Sequence, residues 1–164
     1  MSKTEGNLKE AFAGESQANR KYLAFAEKAD KEGYPQVAKL FRAAAAAETV
    51  HAHVHLRAMQ GIGSTVENLK EAVAGESHEF KEMYPGMIAD AEEEGQKAAL
   101  LSFRYANEVE KTHAEMYQEA LDNPEALEEC DYYICKVCGH THKKEAPEKC
   151  PVCGATDKAF FKSE

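Results

Sequence analysis

The 164-residue sequence predicts an all-α fold, a four-helix bundle, followed by a small metal-bound domain at the C-terminus. An internal repeat of one helical hairpin and apolar residues at helical spacing predict the bundle. Two C-x-x-C-G motifs near the end of the chain predict the second domain. We therefore expect the bundle over residues 1–122, a linker over residues 123–131 and the C-terminal domain over residues 132–164.

The repeat is visible within the chain itself. The stretch N-L-K-E-A-F-A-G-E-S at residues 7–16 returns almost unchanged at residues 68–77, an offset of 61 residues, and the offset becomes 62 further along. Residues 7–60 and 68–121 are therefore two copies of one helical hairpin. Because one hairpin cannot cover its own apolar face, two must pack together, each with half of a central site.

Each of the four predicted helices carries an apolar stripe, which is typical of a helix that packs on one side only. The fourth helix is expected to end at Asp122, because Asn123 and Pro124 follow it. Pro85 falls inside the third helix, where it must kink the helix or occupy an irregular turn. The stripes are formed by Leu8, Phe12, Tyr22 and Phe25, then Val37, Phe41 and Ala44, then Leu69, Val73, Phe80 and Met83, and last Leu100, Phe103 and Tyr117.

Carboxylate and imidazole side chains lie on these apolar stripes, where the cost of burying them must be compensated. In each copy a Glu on the first helix is followed by Glu-x-x-His on the second, and a step of three residues places both side chains on one helix face. This is the ligand set of a carboxylate-bridged di-metal site in a bundle core. The predicted ligands are Glu15, Glu48 and His51 in the first copy, and Glu76, Glu79, Glu110 and His113 in the second.

The ligand types favour iron or manganese, and two irons are the preferred pair, because hard oxygen donors combined with imidazole suit these metals. The positive charge of two iron ions also compensates the negative charge of the five carboxylates. The two copies differ at Glu79, which corresponds to Ala18 in the first copy. The two metals are therefore expected to have unequal sets of ligands.

The C-terminal motifs predict a tetrahedral thiolate site formed by Cys135, Cys138, Cys150 and Cys153. Such a site selects zinc or iron, and the spacing alone does not distinguish a structural zinc ribbon from an iron centre. A disulfide framework is disfavoured, because no signal peptide is evident and pairing the four cysteines would leave Cys130 over.

Composition restricts the partners. The net charge of −9 argues against nucleic acids and anionic membranes as partners. No targeting segment is visible in the sequence, so a reducing cytoplasm is the expected location.

Taken together, these residues resemble the rubrerythrin family, in which a ferritin-like di-iron four-helix bundle is fused to a small, β-rich rubredoxin-like domain with one iron held by four cysteines. The resemblance extends from about Leu8 to Phe161 and rests on the Glu-x-x-His pairs, on E-x-x-E at residues 76–79 and on the four cysteines. It implies that Glu48 and Glu110 bridge the irons. The other implied ligands are Glu15 and Glu76 as terminal ligands, Glu79 and His51 as alternatives to one another on one iron, and His113 on the other iron.

The activity that the resemblance implies is reduction of hydrogen peroxide to water, with electrons delivered through the four-cysteine iron centre from an external reductase or rubredoxin. Tyr22 and Tyr84 match the family pattern near the di-iron site and are the candidate catalytic residues; each is equally consistent with an ordinary buried tyrosine. Two other functions are open: a ferritin-like ferroxidase or iron store, and a zinc-ribbon scaffold or sensor without redox activity.

The resemblance also implies a homodimer. Because the linker is short and the bundle helices are about 40 Å long at 1.5 Å per residue, the four-cysteine centre is not expected to reach the di-iron site of its own chain. A head-to-tail dimer would let it serve the partner chain. Exchange of helix pairs between chains, hinged at residues 61–64, is a further possibility that the sequence leaves open.

Overall fold

The computed structural model describes residues 2–164, which fall into two compact units that divide between Gly63 and Ser64. The first unit is a helical hairpin of α1 (Lys3–Lys31) and α2 (Pro35–Ala58). The second contains α3 (Thr65–His78), a π turn (Glu79–Met83), α4 (Tyr84–Glu93) and α5 (Lys97–Asp122). It also contains a three-stranded sheet of β1 (Tyr132–Cys135), β2 (Thr141–Lys143) and β3 (Phe160–Lys162), with a 3₁₀ turn at Asp157–Ala159.

The first hairpin is built from local signals in the sequence. The Ser2 hydroxyl and the Glu5 carboxylate form a reciprocal capping box at the start of α1. Gly33, with φ +82°, takes the left-handed conformation that turns the chain into Pro35 at the start of α2. Small side chains let the helices approach closely, and their core consists of Ala26, Ala29 and Ala38 with Phe41 packed against it.

The second unit repeats the same signals. Ser64 and Glu67 form a capping box at the start of α3, and Gly95, with φ +67°, precedes α5. An exposed ion pair between the two helices of each copy is also repeated: Asp30 with Arg42 at 2.8 Å, and Glu92 with Arg104 at 2.5 Å. The internal repeat of the sequence is thus a repeat of structure.

The predicted third helix is not continuous, and Pro85 marks the interruption. Five residues in π conformation separate α3 from α4, and Pro85 lies in the first turn of α4. The expected irregular turn at Pro85 is therefore confirmed. The fourth predicted helix ends at Asp122, as expected from Asn123 and Pro124.

The small C-terminal sheet has the strand order β2–β1–β3, and both pairings are antiparallel. Its outer strand β2 lies against α5 within the second unit, where Lys143 forms an ion pair with Glu119. The four predicted thiolate ligands lie at or between the strand ends, because β1 finishes at Cys135 and β3 follows Cys153.

Some residues of the predicted apolar stripes are more exposed than expected. Phe25 and Val37 are 46% and 44% exposed, whereas the buried core of the α1–α2 hairpin consists of alanines. Among residues 2–164, no helix combines the length and the apolar character needed to cross a membrane.

Candidate metal centres

Three predicted ligands of the second copy converge in the second unit. The Nδ1 atom of His113 lies 2.7 Å from Oε2 of Glu110 and 3.8 Å from Oε1 of Glu76. One ligand atom from each residue lies within 4.8 Å of those of the other two. The step of three residues between Glu110 and His113 on α5 places both side chains on one face, toward Glu76 on α3. We call these three residues the second Glu–His group.

The first copy forms an equivalent arrangement in the first unit. The Nδ1 atom of His51 lies 2.9 Å from Oε2 of Glu48 and 3.8 Å from Oε1 of Glu15. These three residues, the first Glu–His group, again have one ligand atom each within 4.8 Å of the others. His51 is 54% exposed and His113 only 28%, so the two groups differ in burial although their distances agree.

The carboxylates and the imidazole of the second Glu–His group perturb one another's protonation. Burial and the neighbouring charge of Glu110 raise the pKa of Glu76 to about 7. The pKa of His113 is raised because its ring is hydrogen-bonded to Glu110 and faces the carboxylates of Glu76 and Glu79, although burial opposes this change. The oxygen and imidazole donors lie close together and hold protons when no metal is bound. Such a set of donors fits a di-iron site, because iron would replace those protons.

Glu79 lies near the second Glu–His group without belonging to its tight cluster. Its charge acts on Glu76, on His113 and on Tyr84, and its backbone oxygen accepts the Tyr84 N–H within the π turn. This placement is compatible with a ligand that binds in only one state of the site.

The two candidate tyrosines occupy different surroundings. Burial, followed by the charges of Glu110, Glu79 and Glu76, raises the pKa of Tyr84, so its hydroxyl lies near the second Glu–His group and stays protonated. Tyr22 belongs to an aromatic cluster, with ring centroids 6.3 Å from Phe25 and 6.1 Å from Phe41. Their catalytic roles stay predictions.

The four cysteines of the C-terminal domain form a compact thiolate cage. The Sγ atoms of Cys135 and Cys153 are 3.7 Å apart, and those of Cys138 and Cys150 are 3.5 Å apart. A regular tetrahedron with metal–sulfur bonds of about 2.3 Å has sulfur–sulfur edges of about 3.8 Å. The cage therefore has the size that one tetrahedral metal ion requires.

Backbone N–H groups point at the sulfur atoms of this cage. The N–H of His140 is hydrogen-bonded to Cys138, and that of Ala155 to Cys153. Gly139 and Gly154 follow the two knuckles with φ +84° and +76°, which allows the chain to bend around the sulfurs. Burial raises the pKa of the Cys138 thiol, so a cation inside the cage is needed to keep all four sulfurs as thiolates.

The four-cysteine domain is linked directly to the second Glu–His group of the same chain. Oγ1 of Thr141, three residues after Cys138, lies 3.0 Å from Nε2 of His113. From helix and linker lengths the four-cysteine centre was not expected to reach the di-iron site of its own chain, whereas its domain contacts one predicted ligand, His113, within the second unit. The reason is that β2 lies against α5 beside His113, so the length of the helix does not separate the two.

Two residues beside this link were not singled out as site residues from the sequence. No motif or spacing in the sequence indicated a role for Thr141 at the site. His140 is 6% exposed, has no hydrogen-bond partner at either ring nitrogen within residues 2–164, and lies with its ring centroid 5.9 Å from that of His142. The position of these histidines just after a C-x-x-C-G motif was the one available clue.

Other metal-binding residue types lie outside the three groups. His78 is exposed and bonded to Glu82, and His53 is exposed on α2. Cys130 is a free thiol in the linker, as the four-cysteine site predicts.

Sequence comparisons agree with this arrangement of sites. The rubrerythrin family model matches residues 6–121, and the model for the rubredoxin-like domain of rubrerythrin matches residues 133–161. Rubrerythrin-2 of Clostridium acetobutylicum is 36% identical, with 93% of this chain and 92% of that protein covered. Rubrerythrin of Porphyromonas gingivalis is 39% identical, with 98% and 89% covered. Nigerythrin of Nitratidesulfovibrio vulgaris is 38% identical, with 90% and 80% covered.

Solved structures give the same result. Nigerythrin in a partially reduced state matches with a TM-score of 0.60 at 36% identity, covering 99% of this chain and 88% of that chain. The fully reduced, all-ferrous state of nigerythrin matches with the same values. The predicted fold class, a ferritin-like bundle followed by a rubredoxin-like domain, is confirmed. The predicted cofactors, a carboxylate-bridged pair of irons and one iron held by four cysteines, are confirmed by the family and by the donor groups.

Proposed function

The chain belongs to the rubrerythrin family, and on this basis we propose that it reduces hydrogen peroxide to water with electrons received through its four-cysteine iron. The family is one of oxidoreductases with a di-iron site and a rubredoxin-like domain. The observation that carries the proposal is the hydrogen bond between Thr141 and His113. In an iron store or a zinc scaffold, this contact between the four-cysteine domain and an iron ligand would have no function.

The proposal assigns the two Glu–His groups to one pair of irons. Glu48 and Glu110 would bridge the metals, and each already pairs with the histidine three residues later. Two ferrous ions held by these residues would supply the two electrons needed to convert one hydrogen peroxide and two protons into two waters. The remaining ligands would be Glu15, Glu76 and His113, with His51 and Glu79 as alternatives on one iron.

The chain's own residues then bind and orient the substrate. The Tyr84 hydroxyl keeps its proton because the nearby carboxylates and burial raise its pKa, so it can donate a hydrogen bond to a peroxide oxygen or to a bridging carboxylate. Tyr22 is assigned the matching role in the first copy. If His113 were to hold iron through Nδ1, the imidazole proton would lie on Nε2 and be donated to Oγ1 of Thr141, and this hydrogen bond would fix the orientation of the ring.

The test is a single reoxidation experiment. The iron-loaded protein is reduced without air, hydrogen peroxide is added in small excess over the electrons held by the three irons, and the colour of the ferric four-cysteine centre is followed. Rapid return of the colour, with air acting much more slowly, supports the proposal. A colourless protein would mean zinc in the thiolate cage, and a coloured protein that ignores peroxide would favour iron oxidation or storage.

Replacement of Thr141 by Val should slow electron transfer from the four-cysteine iron to the di-iron site. The change removes the hydroxyl but keeps the shape, so the contact to Nε2 of His113 is lost while packing is preserved. We expect reoxidation of the four-cysteine centre by peroxide to slow about 10-fold, the lower end of the effect of losing an outer partner of a metal ligand. Stopped-flow absorbance measures it. Thr156→Val, a change elsewhere in the domain, is the control, and an unchanged rate in Thr141→Val would contradict the proposed route.

The protein is also proposed to act as a homodimer that takes its electrons from an external reductase or rubredoxin in the cytoplasm. The boundary between the two units, after Gly63, falls within the segment at residues 61–64 where exchange of helix pairs was considered. Small-angle scattering should give twice the mass of one 18.1 kDa chain. A mass equal to one chain would contradict the dimer.

A further inference from the structure

The two copies of the repeat differ by one residue at a definable place. From Asn7 to Ser16 the copies match at an offset of 61, whereas from Tyr22 onward they match at 62. One extra residue therefore lies between Ser77 and Tyr84. The π turn at Glu79–Met83 occupies this interval. A π turn is the local structure expected when a single residue is added to an α-helix.

The extra residue matters for the direction in which Tyr84 points. Tyr22 follows Glu15 by seven residues, which at about 100° per residue returns it to nearly the same helix face. Tyr84 follows Glu76 by eight residues and would point about 80° away from that face in a regular α-helix. The π turn absorbs the added residue, and Tyr84 lies close enough to Glu76, Glu79 and Glu110 to sense their charges.

Pro85 explains why the π turn stays at this position. In an α-helix the ring of Pro85 would collide with the carbonyl of Lys81, four residues earlier, and no N–H would be available to bond it. In the π turn the Tyr84 N–H bonds instead to the carbonyl of Glu79, five residues earlier. The first copy has Leu23 at the equivalent position and runs through it as continuous α-helix. Pro85 itself is exposed, so packing does not account for its presence.

We propose that Pro85 is a positioning residue that locks the π turn at Glu79–Met83 and so keeps both Glu79 and Tyr84 on the face of the second Glu–His group. Without the proline, the turn is free to move along the helix toward α4, because every residue of that stretch could then pair in the α register. Tyr84 would rotate away from Glu76 and Glu110. This inference rests on the proposed di-iron site. It adds the structural element that positions Glu79, the predicted ligand that the first copy lacks.

The test uses Pro85→Ala in the full chain with zinc in the four-cysteine site and cobalt(II) as the probe of the carboxylate site. We expect cobalt affinity, measured by calorimetry, to fall about 10-fold, as for other residues that orient ligands. Amide hydrogen exchange in the metal-free protein should show altered protection across residues 79–84, because the hydrogen-bond partners of these residues change when the π turn moves. Gly86→Ala is the matched control, because an added Cβ meets nothing within 4 Å there, and it should bind cobalt like the unmodified protein.

A compensating deletion separates register from a general loss of structure. Deleting the exposed Lys81 in the Pro85→Ala background restores the seven-residue spacing of the first copy, so cobalt affinity should recover. Unchanged affinity and exchange in Pro85→Ala, or no recovery on deletion, would overturn the role of Pro85. Failure of the unmodified protein to bind cobalt at the carboxylate site would instead count against the proposed di-iron function. The exchange pattern would still show whether Pro85 holds the π turn in place.

Discussion

Replacing Glu110 with Gln should remove peroxide reduction almost completely. Glu110 is the proposed bridge on the side of the second copy, and its carboxylate lies 2.7 Å from Nδ1 of His113. The amide keeps the size of the side chain and its hydrogen bonding to His113, but it cannot bridge two irons as a carboxylate does. Loss of a residue that hydrogen-bonds a metal ligand already lowers metal affinity or activity by about 10- to 100-fold, so for loss of the ligand itself we expect turnover to fall by about 100-fold or more. Iron content per chain and stopped-flow peroxide kinetics measure it.

The stability of the metal-free variant separates a metal ligand from a structural residue. Burial and, after it, charge repulsion from Glu110 raise the pKa of Glu76, so neutralising Glu110 removes one destabilising contact from the iron-free protein. The iron-free Glu110→Gln variant should therefore resist urea at least as well as the iron-free parent. Glu108→Gln is the control, because Glu108 is exposed on the same helix and pairs with Lys111. Full iron binding in Glu110→Gln would contradict the assignment.

The sequence predicts the two hairpins well because their determinants are local. Capping boxes at Ser2 and Ser64 begin the first helix of each copy. Gly33 and Gly95 lie in the turns between the helices and take the left-handed conformation that favours glycine. Ligand spacing is local too, since Glu-x-x-His fixes both side chains on one face of a helix. For this reason each Glu-x-x-His pair was expected on one helix face, and each pair lies beside the Glu of the preceding helix, whereas Glu79 lies outside the group.

The π turn could be predicted only in part. Pro85 indicates an irregular turn, but a proline alone does not distinguish a kink from a π turn. The change of offset from 61 to 62 shows that one residue was added, and the structure shows how the helix accommodates it. Local propensity contains no information on that choice, because it depends on keeping Tyr84 near carboxylates that lie on other helices.

Contacts between elements that are distant in the sequence were the least predictable. The hydrogen bond between Thr141 and His113 joins residues 28 positions apart and depends on how β2 lies against α5. A threonine in a short strand has no spacing or composition that indicates such a role. Arguments from helix length and linker length therefore did not anticipate this contact of the four-cysteine domain.

Replacing Cys135 with Ser should unfold the C-terminal domain and disconnect the di-iron site from its electron supply. Cys135 is 1% exposed and ends β1, so its loss removes a thiolate ligand at the centre of a domain of about 30 residues, too small to fold on hydrophobic burial alone. We expect the ferric colour of the four-cysteine centre to disappear and amides over residues 132–164 to exchange freely. Turnover with an external reductase should fall to background.

Cys130→Ser is the matched control, because Cys130 is a free thiol outside the cage and its replacement should preserve colour and turnover. The bundle of the Cys135→Ser variant should still bind two irons, and after chemical reduction they should still be oxidised by hydrogen peroxide in one turnover. This difference is expected because, in the proposed function, the Glu–His groups would hold the irons that react with peroxide, whereas the cage would supply electrons for the next cycle. Undiminished steady-state turnover in Cys135→Ser would show that electrons enter by another route.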